Sequence, residues 1–229
     1  MEILYEDNHV IVVLKPHNVP SQEDSSKDKD LLSMVKEYIK EKYNKPGNVY
    51  VGLVHRLDRP TGGVMVFAKT SKAASRLSEQ FRNGEAEKTY FAIVKGNLKL
   101  KQTKLVNYLL KDEINNKVRV VPMSTEGAKK AELDYTELES YENLHLLKVK
   151  LGTGRGHQIR VQLSTIGNPI YGDQKYGGED MEKANLNLFA VELKFYHPTT
   201  KEKMVFRAYP DEEKTAWKYF NLEKHLSIK

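Results

Sequence analysis

No cysteine occurs among the 229 residues. That absence removes disulfides, iron–sulfur clusters and thiolate zinc sites, and with them the Pro-Cys-x-x-Cys arrangement of zinc-dependent base deaminases. Long apolar runs are missing as well, since no stretch approaches the ~18 residues of a membrane span. The start, Met1-Glu2-Ile3-Leu4-Tyr5-Glu6-Asp7, has neither the basic segment nor the apolar core of a signal peptide. The expectation is a soluble, cytoplasmic protein. Repeats and low-complexity tracts are also lacking, and no linker is long enough to force two domains, so residues 1–229 are expected to form one domain. Acidic residues are outnumbered: 37 Lys and Arg against 31 Asp and Glu give a net charge of +6. Such a mild excess suits a polyanion partner but serves solubility equally well.

What is present reads as a mixed chain. Ile3 to Tyr5 and Val10 to Leu14 form an apolar pair around Glu6-Asp7-Asn8, a short hairpin ended by Pro16 and Pro20. Leu31, Leu32, Val35, Tyr38 and Ile39 fall on helical spacing, with Asp30 as cap and Pro46-Gly47 as stop. A second helix runs from Lys72 to Asn83, capped by Ser71, with Ala74, Leu77 and Phe81 inward and Gly84 at its end. Strands follow at Thr89 to Val94, Lys117 to Val121, Leu133 to Leu138 and Leu144 to Leu151, with a turn at Asn115-Asn116. His157 to Thr165 suits a helix, and Asn187 to Tyr196 with Lys203 to Ala208 suits a closing hairpin. Asp211 to Phe220 suits a last helix. The expected class is α+β, a mainly antiparallel mixed sheet core flanked by helices.

Two stretches carry chemistry. His55-Arg56-Leu57-Asp58-Arg59-Pro60-Thr61-Gly62-Gly63 sets one carboxylate between two arginines before a glycine turn. Neighbouring cations favour the carboxylate anion, and arginines not spent on protein carboxylates can fork onto phosphate. The plain alternative is a surface ion pair beside a tight turn. The second stretch is Gly152-Thr153-Gly154-Arg155-Gly156-His157-Gln158-Ile159-Arg160. No Lys-Ser or Lys-Thr pair follows, and His157 stands where a dinucleotide fingerprint wants its third glycine. A methyl-donor loop remains a rival reading. Glycines leading into a helix, with Arg155 beside them, also suit a phosphate belonging to the substrate.

Taken in order, Lys15-Pro16, His55-Arg56-Leu57-Asp58, Lys88-Thr89-Tyr90-Phe91-Ala92, Gly154 to Arg160, Gly167-x-Pro169-x-x-Gly172-Asp173 and Leu193 to Pro198 span nearly the whole chain. Together they resemble the RluA-type family of RNA pseudouridine synthases. The resemblance implies that family's catalytic fold with a central cleft, and isomerisation of uridine in ribosomal or transfer RNA without cofactor or metal. It implies Asp58 as catalytic carboxylate, Tyr90 packed on the target base and Arg160 paired with Asp58. Leu188 or its neighbour would line the base pocket. Arg56, Arg59, Arg76, Arg155 and His157 are the candidates for holding substrate. Departures from the family pattern are read at Gly63 (Ser), Gln162 (His) and Phe189 (His). The RNA-binding S4 module often fused ahead of this domain is not expected, and a monomer is. A catalytically inactive RNA-binding protein of the same fold is the alternative.

Overall fold

The computed structural model describes residues 1–179, 181–211 and 215–226. The chain divides into two compact units, Met1–Lys88 with Ala190–Ala208, and Thr89–Phe189 with Tyr209–Lys229.

In the first unit, β1 (Glu2–Glu6) and β2 (Val10–Lys15) form the expected antiparallel hairpin. Its turn is closed by Asp7 Oδ1, which accepts the amides of His9 and Val10. Helix α1 (Leu31–Lys42) starts at Asp30, whose carboxylate accepts the Ser33 amide, and buries Leu31, Val35 and Ile39. Strand β3 (Gly52–Leu53) pairs with β4 (Gly62–Ala68), which also runs antiparallel to β2. Every residue of β4 is buried.

Helix α2 (Ser71–Asn83) ends on Gly84 in the left-handed region, as expected, but its cap and face differ from the sequence reading. The cap is Thr70, whose extended backbone lets Oγ1 accept the Ala73 amide. The buried face is Ala73, Leu77 and Gln80, one residue round from the expected Ala74, Leu77 and Phe81. Gln80 can be buried because both ends of its amide bond the backbone of Tyr196, each at 2.8 Å. Most of β10 (Leu188–Tyr196) belongs to this unit and pairs antiparallel with β11 (Lys203–Arg207). Strand order is β1-β2-β4-β10.

The second unit is an antiparallel sheet in the order β5-β9-β8-β6-β7. Its strands are β5 (Glu87–Lys95), β6 (Gln102–Asp112), β7 (Lys117–Val121), β8 (Lys129–Tyr141) and β9 (Leu144–Leu151). Strand β6 has no counterpart in the sequence reading. Helix α3 (Gln158–Thr165) contributes Val161 to a core with Leu109, Val118 and Ala131. In place of the expected last helix, Ala216–Tyr219 makes a 3-10 turn capped by Thr215, with Trp217 buried. Residues 212–214 of that expectation lie outside the described residues. The class is α+β, as expected.

Candidate active site

Asp58 sits half-buried in the segment joining β3 to β4. That segment has no ladder of its own, so its polar groups need other partners, and they come from both sides of the carboxylate. Before it, Ser21 Oγ donates to the Leu57 carbonyl at 2.7 Å and accepts the Leu57 amide at 3.2 Å. His55 is buried, its ring stacked on Phe81 at 4.4 Å, and Nε2 accepts the Val66 amide of β4. The proton therefore lies on Nδ1. Burial pushes His55 well below its ordinary value, and the charge of Lys88 adds to this, so the ring is neutral.

Beyond Asp58, Lys15 closes the loop. The β2–β4 register sets it opposite Gly63, and its side chain is wholly buried. Nζ donates to the carbonyls of Pro16 at 3.0 Å, Arg59 at 2.9 Å and Thr61 at 2.8 Å. Three donors thus meet three acceptors, two of which bracket the turn just past Asp58. Burial pushes the ammonium down to about 7, Asp58 opposes that shift, and Arg59 adds to it. Within the turn the Thr61 amide donates to the Asp58 carbonyl, and His17 Nδ1 lies 2.8 Å from the Pro60 carbonyl.

Tyr90 and Arg160 belong to the second unit. Tyr90 lies on β5 opposite Val149 and is 4% exposed. Arg160 is buried on α3 and forms a fork with Asp173: Nε to Oδ2 at 2.8 Å and Nη2 to Oδ1 at 2.7 Å. Asp173 Oδ1 also accepts the amides of Lys175 and Tyr176, and the guanidinium lies 5.1 Å from the Tyr176 ring centre. Charge-assisted paired bonds of this kind fix the guanidinium plane.

The remaining candidates separate by what holds them. Arg56 is exposed and has no hydrogen bond or ion pair among the described residues. Arg59 is tied to Asp28 and lies 3.6 Å from Asp24. Arg76 donates to the Pro198 carbonyl, and Arg155, though exposed, donates to the Lys130 carbonyl. His157 caps α3 in the left-handed region, with Nδ1 2.7 Å from the Tyr176 hydroxyl. Leu188 is buried at the start of β10. The glycine turn is more self-contained than a phosphate cradle would be. Gln158 Oε1 takes the Arg155 amide, and the Glu132 carbonyl takes the amides of Gly152 and Thr153.

Residues 9–165 match the family model described as RNA pseudouridylate synthase. An uncharacterized RNA pseudouridine synthase of Aquifex aeolicus is 36% identical, over 98% of this chain and 74% of that protein. The chain belongs to the RNA pseudouridylate synthase family. Ribosomal large subunit pseudouridine synthase C of Haemophilus influenzae is 33% identical, over 94% of this chain and 67% of that protein. For tRNA pseudouridine synthase C of Vibrio cholerae the figures are 32%, 93% and 92%. The solved structure of human RNA pseudouridylate synthase domain containing 4 shares the fold, with a TM-score of 0.76 at 23% identity, covering 91% of this chain and 88% of that one.

Against the family pattern, position 63 admits only glycine here. Its φ is +132°, and a Cβ would fall 2.5 Å from backbone atoms of Ala190. Gln162 is wholly buried and donates to Asn107 Oδ1 at 2.8 Å, and Phe189 is 3% exposed. Sequence reasoning noted Lys15 and Asp173 only as motif letters and missed their partners. The one available signal was chemical: a Lys at the end of a buried strand needs acceptors, and a buried Arg needs a carboxylate.

Proposed function

We propose that this chain isomerises specific uridines of ribosomal or transfer RNA to pseudouridine, with Asp58 as the catalytic carboxylate. Both units would work as one catalytic domain, as a cytoplasmic monomer and without a cofactor. The observation that carries the reading is the Asp58 loop: a half-buried carboxylate on a backbone that Ser21 holds at Leu57 and Lys15 holds at Arg59 and Thr61.

The reaction breaks N1–C1′ of the nucleotide and joins C5 to C1′; the hydrogen lost from C5 is balanced by one gained at N1. Nothing is released and no electrons are exchanged, so neither an oxidant nor ATP is needed. Ordinary glycoside hydrolysis uses two carboxylates, one of them to protonate a departing group. A base that stays in the pocket lifts that requirement, and one anionic oxygen suffices to attack the sugar, to attack the base or to take a sugar proton. The uridine must first leave its stack, at a cost of a few kcal/mol. Tyr90 would offset about 1–3 kcal/mol by stacking. Arg160 is assigned to keeping the carboxylate anionic, and Arg56, Arg59, Arg76 and Arg155 to the phosphates.

Wild type and Asp58→Asn, each incubated with ribosomal and transfer RNA transcripts, should differ in carbodiimide-resistant adducts by about 10²- to 10⁴-fold or more in rate. RNA affinity should stay within a few-fold. Equal background in both, on every transcript, would leave an inactive RNA-binding protein of the same fold. Tyr90→Phe should retain much of the activity that Tyr90→Ala loses.

A further inference from the structure

The sheet of the second unit has a packed face and an open one. Leu109, Val118 and Ala131 point into the core with Val161. Their neighbours along each strand point the other way, because successive side chains of a strand alternate. On that open face Val106 is 47% exposed, and Tyr108 and Leu110 are half-buried. The register places Tyr108 between Val121 of β7 and Lys130 of β8, and Leu110 opposite Arg119. An apolar strip with one aromatic ring at its centre is thus bordered by cations. Exposed Lys104 extends the border, and Arg155 joins it through its bond to the Lys130 carbonyl.

Two acids on this face, Glu132 and Asp112, are already engaged. Glu132 lies 3.3 Å from Lys104 and 3.0 Å from Lys130. Asp112 Oδ1 accepts the amides of Ile114 and Asn115, and Oδ2 accepts the Asn115 side-chain amide; Asp134 is exposed and stands opposite Lys104 and Lys150. Arg119 is exposed, its side chain makes no hydrogen bond among the described residues, and its charge acts on Asp112 across the strand pair. Sheets that expose an aromatic ring among cations are suited to bases and phosphates together. A second copy docking through the same face would set its excess positive charge against itself.

We propose that this face is an RNA-binding platform for a single-stranded segment of the substrate other than the reacting nucleotide. Tyr108 stacks a base, and Arg119 and Lys130 hold the flanking phosphates. The inference rests on the synthase reading and adds a surface to it.

Fluorescence anisotropy with a labelled oligouridylate, repeated across salt concentrations, tests it. Paired Arg119→Gln and Lys130→Gln should lower the salt slope by about 1.4, the value for two single-strand phosphate contacts. Tyr108→Ala should weaken binding roughly five-fold or more at unchanged slope, with Tyr108→Phe restoring it. Circular dichroism and urea unfolding should match wild type for all of them, which shows that they fold. Wild-type binding by the variants at every salt concentration overturns the platform, as does a change confined to sedimentation, which would make the face a protein contact. Failure of the synthase reading looks different: wild type itself would then lack turnover, whatever these variants bind.

Discussion

Asp58 is positioned by a loop whose anchors are mostly neutral amides and carbonyls, spread over Ser21, His55 and Lys15. Arg160 is gripped by a buried carboxylate, that of Asp173. The difference has consequences for what each residue can lose. A loop with several partners stays folded when one is removed, yet the side chain it carries moves. A buried ion pair fails differently, because deleting one member strands the other charge away from water. Damage to the first region should therefore be read in kcat, and damage to the second in stability.

Asp173→Ala is the harshest test of that contrast. It removes both oxygens of the guanidinium fork and the acceptor for the Lys175 and Tyr176 amides. A loss of about 3–5 kcal/mol in urea unfolding is expected. A loss below ~1 kcal/mol would mean that other partners hold Arg160, and the contrast would fail.

Lys15→Met comes next, and its effect should appear mainly in catalysis. The variant keeps the length of the side chain but removes the donors to Arg59 and Thr61. Displacement of a reacting group by about 1 Å costs on the order of 10²-fold, so kcat should fall roughly 10- to 100-fold with KM little changed. Stability carries a separate signature. The folded ammonium titrates at about 7, below its ordinary 10.5. Between those values the unfolded chain binds a proton that the folded chain has shed, so wild type should gain stability over Lys15→Met as pH rises from 7 to 10.5. The gain is bounded by about 1.4 kcal/mol per pH unit. The opposite trend, measured by urea unfolding at pH 7 and 9, would show that the three carbonyls outweigh burial.

Much of this architecture was legible from local pattern. The β1–β2 hairpin, α1 with its Asp30 cap, β7, β9 and the Gly84 end of α2 follow from residues a few positions apart. The misses share a cause in distance along the chain. Gln80 reads as polar surface until Tyr196, 116 positions away, supplies its partners. Lys15 reads as the exposed end of a strand until carbonyls 44 and 46 positions on meet it. Strand β6 is obscured in the sequence because charged and polar residues such as Lys104 and Asn107 interrupt its apolar positions, and its open face is not consistently apolar. The motif at Asp58 marked the carboxylate proposed as catalytic by resemblance, but the supports of its loop come from elements far away in sequence.

The mildest test is a deletion of the same chemical kind as the first, made at the surface of the first unit. Arg59 is tied to Asp28, with Asp24 nearby, and all three side chains are well exposed. Water and salt screen such a pair, so it contributes little to folding. Asp28→Asn should leave the melting temperature unchanged, where Asp173→Ala lowers it sharply. What should change is RNA binding, because an arginine released from a carboxylate becomes available to phosphate. Affinity should rise and the salt dependence should steepen by about 0.7–0.9, one further phosphate contact. An unchanged slope would remove Arg59 from the substrate-binding set and leave it a surface ion pair. It would also locate the proposed function of this region more narrowly, in the carboxylate on its anchored loop and not in the cations beside it in sequence.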